Sequence, residues 1–383
     1  MTGSSVAEPA SRIRDLATAR STALGLPTSA LEDWRYVRLD TLREAAYDQP
    51  RTVATEELRT HVDHTQRALV VVDGRFHSLG HGDWPADWRL DLPDAAHDER
   101  LAAALSEERD AARVWAYSDG PCRQIVRISG QHPELLHVVN VVTGGTSGWA
   151  LDLQVAAGAT LDVVVRHIAL GKARSCPALT IDAGRGAVVR VEEFQIGAHH
   201  HLLPTATITA AADAQVTWTA VVQGGACVRL ATTARITGAG AHLALAGSTH
   251  TRDTAQAHHL VRLTHAAGNS TSEQLFKSVL SDRSRTSFDG LVHIVVGADG
   301  TDAKQHNRNL LLSDLATADT RPQLDIRADD VKAAHGATVG QLDADELLYL
   351  RMRGLDVDAA RHLLTAGFSG EVLSTLRHPE FAS

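Results

Sequence analysis

ALTIDAGRGAVVRVEEF (residues 178–194) and, one interval later, ATITAAADAQVTWTAVV (residues 206–222) share one plan. Each opens on a short β-branched run, breaks at a turn of small residues, and resumes as a strand of alternating positions. The plan recurs upstream in LLHVVNVVTGG (135–145) and VAAGATLDVVVRHI (155–168), and downstream in ARITGAGAHLALAG (234–247). Turn centres fall near Gly158, Gly186, Ala214 and Gly240, about 27 residues apart, an interval typical of solenoids and arrays. The strands are too short and the turns too small for βαβ units. A rung of this kind buries its apolar face only by stacking on its neighbours. The pattern therefore predicts a β-helix, with a β-sandwich as the structural alternative.

Composition agrees. Apolar residues make up 44% of the 383 positions but aromatics only 4%, so the core is built from Ala, Val, Leu and Ile. Such a core suits stacked short strands. The net charge of −9 speaks against a nucleic-acid or anionic-membrane protein, which would carry a basic stripe. No run of 18 apolar residues predicts a membrane span, and MTGSSVAEPASRIRD has no apolar signal core. A cytoplasmic location is expected. Cys122, Cys176 and Cys227 are widely separated, with no C-x-x-C; this excludes a zinc ribbon or thioredoxin-like motif and fits a reducing compartment. They read as small buried hydrophobes.

The chain divides into an N-terminal mostly helical domain (1–120), a β-helix core (121–335) and a C-terminal helical domain (336–383). In the first, Ser11 to Leu24 reads as a helix, ALVVVDGRF (68–76) as a strand with an Asp73–Gly74 turn, and DERLAAALSEERDAAR (98–113) as one strong helix. Near the end, Asp343 and Glu346 stand at capping-box spacing, and Gly354 is a C-cap. A second helix starts at Asp356 or Asp358 and carries Gly367 and Gly370, which weaken its continuity.

Three motifs, NRNLLLSD (307–314), RPQLDIRADDVK (321–332) and HGATVGQLD (335–343), lie in a stretch from Phe288 to about Leu364. This stretch resembles the SufB/SufD family of iron–sulfur cluster assembly proteins. Weaker echoes run back through VAAGATLDVVV (155–165), and ALEDWRYVRLDTL (30–42) is similar to the N-terminal segment of SufD-type members. The length, this segment and the absence of any cysteine beyond Cys227 favour the SufD branch. The resemblance implies a right-handed parallel β-helix core flanked by two helical domains. It also implies a non-catalytic scaffold subunit that pairs with a SufB-like subunit through the solenoid. Its C-terminal helices would dock a SufC-like ABC ATPase; no Walker A motif is present here, so ATP hydrolysis belongs to that partner. The expected cargo is a transient iron–sulfur cluster shared with SufB. The isolated chain is expected to be able to form a homodimer.

In many SufD-like sequences the segment before the conserved-type histidine reads DDVK-Cys-Ser-His-Gly. Here Ala333 and Ala334 occupy the cysteine and serine positions, and His335 remains. A thiolate from this segment is therefore unavailable. His335 is the candidate ligand of a nascent cluster or of incoming iron, since neutral imidazole binds iron and occurs on iron–sulfur centres. The competing reading has His335 bonded to a backbone carbonyl where strand gives way to helix. Asp329 and Asp330 are candidates to orient its ring. Leu347, Leu348, Leu350, Leu363, Leu364 and Phe368 are the candidate docking residues for SufC. His199–His200–His201 reads as a solvated turn, and His258 and His259 as pointing to opposite faces of a strand. Lys304, Arg308, Arg321, Arg327 and Lys332 read as surface or interface charge. Asp213, Asp299 and Asp302 lack the array that a calcium-binding solenoid needs. Two other readings are a carbohydrate-active β-helix enzyme, for which the carboxylates are too scattered, and a purely structural homo-oligomeric solenoid.

Overall fold

The computed structural model describes residues 9–62, 67–77, 85–120, 122–197 and 200–382. Its strands, in chain order, are β1 (Arg67–Val72), β2 (Arg75–His77), β3 (Trp88–Asp91), β4 (Arg123–Ile128), β5 (Gln131–Val142), β6 (Gly145–Val155), β7 (Thr160–Ala169), β8 (Ala173–Ala183), β9 (Val188–Ile196) and β10 (His201–Leu202). They continue as β11 (Thr205–Ala210), β12 (Gln215–Gln223), β13 (Cys227–Ile236), β14 (His242–Thr251), β15 (Gln256–His265), β16 (Thr271–Leu280), β17 (Arg285–Ile294), β18 (Thr301–Leu311), β19 (Thr317–Ile326) and β20 (Val331–Gly340). They form two sheets, ordered β2-β1-β5-β7-β9-β12-β14-β16-β18-β20 and β19-β17-β15-β13-β10-β8-β6-β4-β3, with β11 between β8 and β13. The chain alternates between the two, and successive strands within each sheet pair in parallel. This is a parallel β-solenoid of about eight turns. The sandwich alternative would require antiparallel neighbours. Among the described residues only the β1–β2 hairpin and β3 against β4 pair that way.

The corners explain the repeat. Gly158, Gly186, Asp213, Gly240, Asn269 and Gly300 all adopt left-handed φ, from 50° to 75°. The third corner is Asp213 rather than its neighbour Ala214; Asp tolerates this region where Ala does not. The corner N–H groups point along the solenoid axis. Gly158 donates to the Arg185 carbonyl, Gly186 to Ala212, Asp213 to Ala239 and Asn269 to Asp299, at 2.7–2.9 Å. Each turn thus hydrogen-bonds the next, and the residue interval is set by that stacking. Inward residues of both sheets form one continuous apolar core from Leu69 to Ala303.

Helices cover the outer faces. The N-terminal layer comprises α1 (Pro9–Leu24), α2 (Asp40–Arg43), α3 (Thr55–Arg59), α4 (Ala95–Glu107) and α5 (Ala111–Ser118); Ala116 and Tyr117 of α5 pack against Ala150 and Ala178 of the second sheet, whereas Leu58 of α3 packs against Val70, Val139 and Ile168 of the first. The single helix expected over 98–113 is two. Glu108 turns extended, and Asp110 caps α5 by accepting from the Ala112 N–H, a local bond that competes with continuing the helix. The segment Glu32–Trp34 pins this layer to the late strands. Arg262 and Arg321 both flank Asp289, and bond onward to Asp33 and Glu32 at 2.7 Å. Buried Arg229 lies over the Trp34 ring, 4.1 Å from its centroid.

At the other end, Asp343 accepts from the N–H groups of Asp345 and Glu346 and opens α6 (Ala344–Met352); Gly354 closes it at φ 97°. Asp356 caps α7 (Val357–Leu373), which runs unbroken through Gly367 and Gly370. This helix returns along the first sheet. Lys277 donates to the Phe368 carbonyl at 2.8 Å and His250 bonds the Ser369 hydroxyl at 2.7 Å. Beyond it, the Arg377 and His378 N–H groups bond Glu192, and Phe381 packs by Phe194. Among the described residues no helix is long and apolar enough to cross a membrane.

Candidate functional site

His335 lies at the middle of β20, the last strand of its sheet, and is exposed. The companion terminal strand is β19, whose residues are all half-buried or exposed. Both strands have a paired side facing the previous rung and a bare side facing away. Among the described residues nothing pairs with that bare side. Backbone N–H and C=O groups left open along a sheet edge are a template for pairing with another chain.

Register fixes where His335 points. It stands beside Gln305 of β18, as Ala333 stands beside Ala303. Ala303, Gln305, Asn307 and Asn309 are buried inward positions of β18, and Ala333 packs against the core. With side chains alternating across a strand, His335 shares their inward side at the open end of the lumen. Following the pairings back gives a file Leu136, Val163, Val191, Trp218, Leu245, Gln274, Gln305, His335. The file is apolar until Leu245 and polar from Gln274 onward, apart from the indole N–H of Trp218. Around its end the lumen carries Asn307, Asn309, Ser278 and Thr286, with Asn309 donating to Asn307 at 2.7 Å.

The expected orienting carboxylates are elsewhere. Asp330 precedes His335 by five residues of extended chain, roughly 16 Å at the strand rise. Asp329 and Asp330 instead lie in the β19–β20 turn, where their N–H groups bond Asp299 Oδ1 at 3.0 and 3.2 Å. This also accounts for Asp299, which holds that turn. Among the described residues no group of three His, Cys, Asp or Glu side chains could hold a metal ion. His335 is therefore a lone imidazole with small flanks, Ala333, Ala334 and Gly336. As a ligand it could offer a metal one nitrogen.

A second polar cluster, which periodicity does not reveal, crosses the lumen midway. Trp149 Nε1 donates to Asn140 Oδ1 at 3.0 Å, which fixes the Asn140 amide. Its Nδ2 then faces His167 Nδ1 and the Ser175 hydroxyl, each at 3.1 Å. His167 must carry its proton on Nε2, 2.9 Å from Glu193 Oε1, while Trp218 donates to Oε2 at 3.1 Å. Every member is buried, and both carboxylate oxygens are used. The network ties β5, β6, β7, β8, β9 and β12 together across the lumen. The one sequence signal was two tryptophans, Trp149 and Trp218, in strands otherwise built from small residues.

The remaining histidines correct one expectation and bear out another. His200 and His201 are buried, not a solvated turn; His199 lies outside the described residues. Burial pushes the imidazole of His200 down to about 3 and that of His201 to about 4. His258 and His259 do face opposite ways. His259 bonds Thr249 in the lumen and His258 bonds Ser287 and Gln256 beneath the N-terminal layer. Cys176 and Cys227 are buried, and burial pushes both thiols up to about 12, so they stay protonated and inert. Cys122 is half-buried. Among the basic residues, Arg321 is part of the Asp289 ion cluster.

In the C-terminal helices, the six apolar candidates separate. Phe368 lies against the solenoid beneath the Lys277 ammonium, 4.8 Å from its ring centroid. Leu347, Leu350 and Leu364 are half-buried. Leu348 is 54% and Leu363 50% exposed, near Tyr349 at 55% and Met352 at 78%. No residue of α6 is fully buried, and its Leu348, Tyr349 and Met352 are left exposed.

Comparison with known proteins points one way. Residues 149–368 match the family model described as the SufBD core domain of the SUF system for FeS cluster assembly. The chain is 28% identical over 376 residues to the iron–sulfur cluster assembly protein SufD of Escherichia coli, covering 92% of this chain and 86% of that one. A SufBD family iron–sulfur cluster assembly protein of Mycobacterium leprae is 28% identical over 378 residues, covering 94% and 88%. A Synechocystis member is 43% identical over 125 residues, 33% of this chain and 27% of that one.

Proposed function

This chain belongs to the SufB/SufD family of iron–sulfur cluster assembly proteins and is SufD-like within it; on that premise we propose that it is the scaffold subunit of a SufB–SufC–SufD complex. The observation that carries the reading is the terminal rung. It offers two unpaired strand edges and a lone exposed imidazole on the lumen side. A SufB-like solenoid would dock edge to edge there and bring its own ligands to face His335. The cluster is cargo shared across that joint, and this subunit's contribution is one neutral nitrogen ligand. A neutral ligand in place of a thiolate lowers the negative charge at the site and leaves the cluster easier to hand on.

The uncovered apolar face of α6 and α7, centred on Leu348 and Leu363, is the docking surface for a SufC-like ATPase. Helix α7 is bonded to β14 and β16 through His250 and Lys277. Movement of the ATPase would therefore be passed to the solenoid. ATP chemistry resides in that partner, and this chain is not itself a catalyst. In the absence of SufB, the same open rung would take a second copy of this chain. The carbohydrate-active reading is not favoured by any feature of the lumen or by the family.

The test is His335→Ala in the three-protein complex, reconstituted anaerobically with iron and a sulfur source. The complex should keep its mass, and the visible absorption of the cluster should be lost. Normal cluster formation by the variant would sink the ligand role.

A further inference from the structure

Gln305 is fully buried next to His335. Its Nε2 donates to Gln274 Oε1 at 3.0 Å, back toward the preceding rung. The same nitrogen lies 2.4 Å from where a Cβ on Gly290 would stand, so the amide reaches across the lumen over a residue with no side chain. A planar carboxamide carries its oxygen on the edge opposite its nitrogen. With Nε2 committed to Gln274, Oε1 is the atom of this amide left for the rung of His335. That oxygen is buried and accepts no hydrogen bond among the described residues. Leaving a buried acceptor unpaired is unfavourable, and the neighbouring inward side chain on the open side is an imidazole, which carries an N–H in either tautomer.

We propose that Gln305 is a positioning residue for His335: its side-chain oxygen accepts one ring N–H and leaves the other ring nitrogen, lone pair outward, for iron. This rests on the reading of His335 as a cluster ligand. Ligating histidines characteristically give their second N–H to a fixed acceptor, which sets tautomer and ring orientation. In this fold that acceptor comes from the adjacent rung rather than from Asp329 or Asp330. Gln274 in turn orients Gln305, so the polar end of the file is a support for the terminal imidazole.

The experiment uses the full chain with ¹⁵N-labelled histidine, the His335 ring signals being identified by their loss in His335→Ala. The unmodified chain should show His335 in a single neutral tautomer. Gln305→Leu should release it into a mixture of both, as should the milder Gln305→Asn, which shortens the reach by one methylene. Gln305→Glu, which keeps an acceptor oxygen, should restore the single tautomer. In the complex with SufB and SufC partners, Gln305→Leu should slow cluster build-up about tenfold, and Gln305→Glu should recover most of the rate. An unchanged His335 tautomer in both Leu and Asn variants overturns the proposal, even where cluster build-up falls. If His335→Ala builds clusters normally, the ligand reading has failed and the proposal falls with it. If His335→Ala is inactive while the tautomer ignores Gln305, only the positioning role is lost.

Discussion

Replacing Glu193 with alanine should destabilise the solenoid from its interior. The carboxylate accepts from His167 Nε2 at 2.9 Å and from Trp218 Nε1 at 3.1 Å. Neither donor has another outlet. The indole N–H has only one proton to give, and His167 Nδ1 is occupied by Asn140. Alanine leaves two buried donors without partners, at about 1–3 kcal/mol each, for a total near 4 kcal/mol. With an unfolding entropy of about 2.1 cal/mol/K per residue, the 383-residue chain carries about 0.8 kcal/mol/K, so the melting midpoint should fall by roughly 5 °C. Gln keeps the shape and one oxygen but turns an amide N–H₂ toward one of the two donors. Its loss should be about half that of alanine, on the order of 2 kcal/mol. Adding Trp218→Phe to Glu193→Ala removes one orphaned donor and should cost less than the two separate changes combined. Calorimetry or circular dichroism at neutral pH reads all of these. A Glu193→Ala midpoint within about one degree of the parent, or equal losses for Ala and Gln, would show that the relay contributes nothing of the kind.

Acid should unfold the chain early. Burial holds the rings of His200 and His258 near 3, and those of His201, His259 and His265 near 4, against the ordinary 6.5. The unfolded chain takes up these protons as pH falls through 6.5, while the folded chain refuses them until about pH 4. Stability is therefore complete above pH 6.5 and drains between 6.5 and 4, by up to about 1.4 kcal/mol per pH unit for each ring. Urea midpoints at pH 7 and pH 5 measure this, and equal midpoints would refute it. On the C-terminal helices, Leu348→Glu combined with Leu363→Glu should change stability by no more than about 0.5 kcal/mol, both sites being half exposed. The pair should abolish co-purification with a SufC-like ATPase. Undiminished capture would remove these helices as the docking surface.

The amino-acid sequence by itself determined the solenoid. Its interval was readable because each corner is a local event: a glycine or an Asp/Asn adopts a left-handed conformation, and the chain turns there whatever surrounds it. Helix ends were readable for the same reason. Asp343 and Asp356 cap through bonds to residues two or three positions away. Where local signals competed, at Asp110, propensity alone joined two helices that a cap divides.

The interior chemistry was decided only by tertiary structure. Asn140 bonds His167, and Gln305 stands in register with His335, across about one full turn of chain, and a shift of one residue in register would turn every such side chain to the opposite face. No nearby pattern encodes that pairing. The same physics removed Asp329 and Asp330 from His335, because five residues of strand carry them out of reach. It also buried the histidines at 200 and 201, which as a bare sequence had read as solvated. What surrounds His335 is set by which strand stacks beside it, and on its open side no strand stands among the described residues.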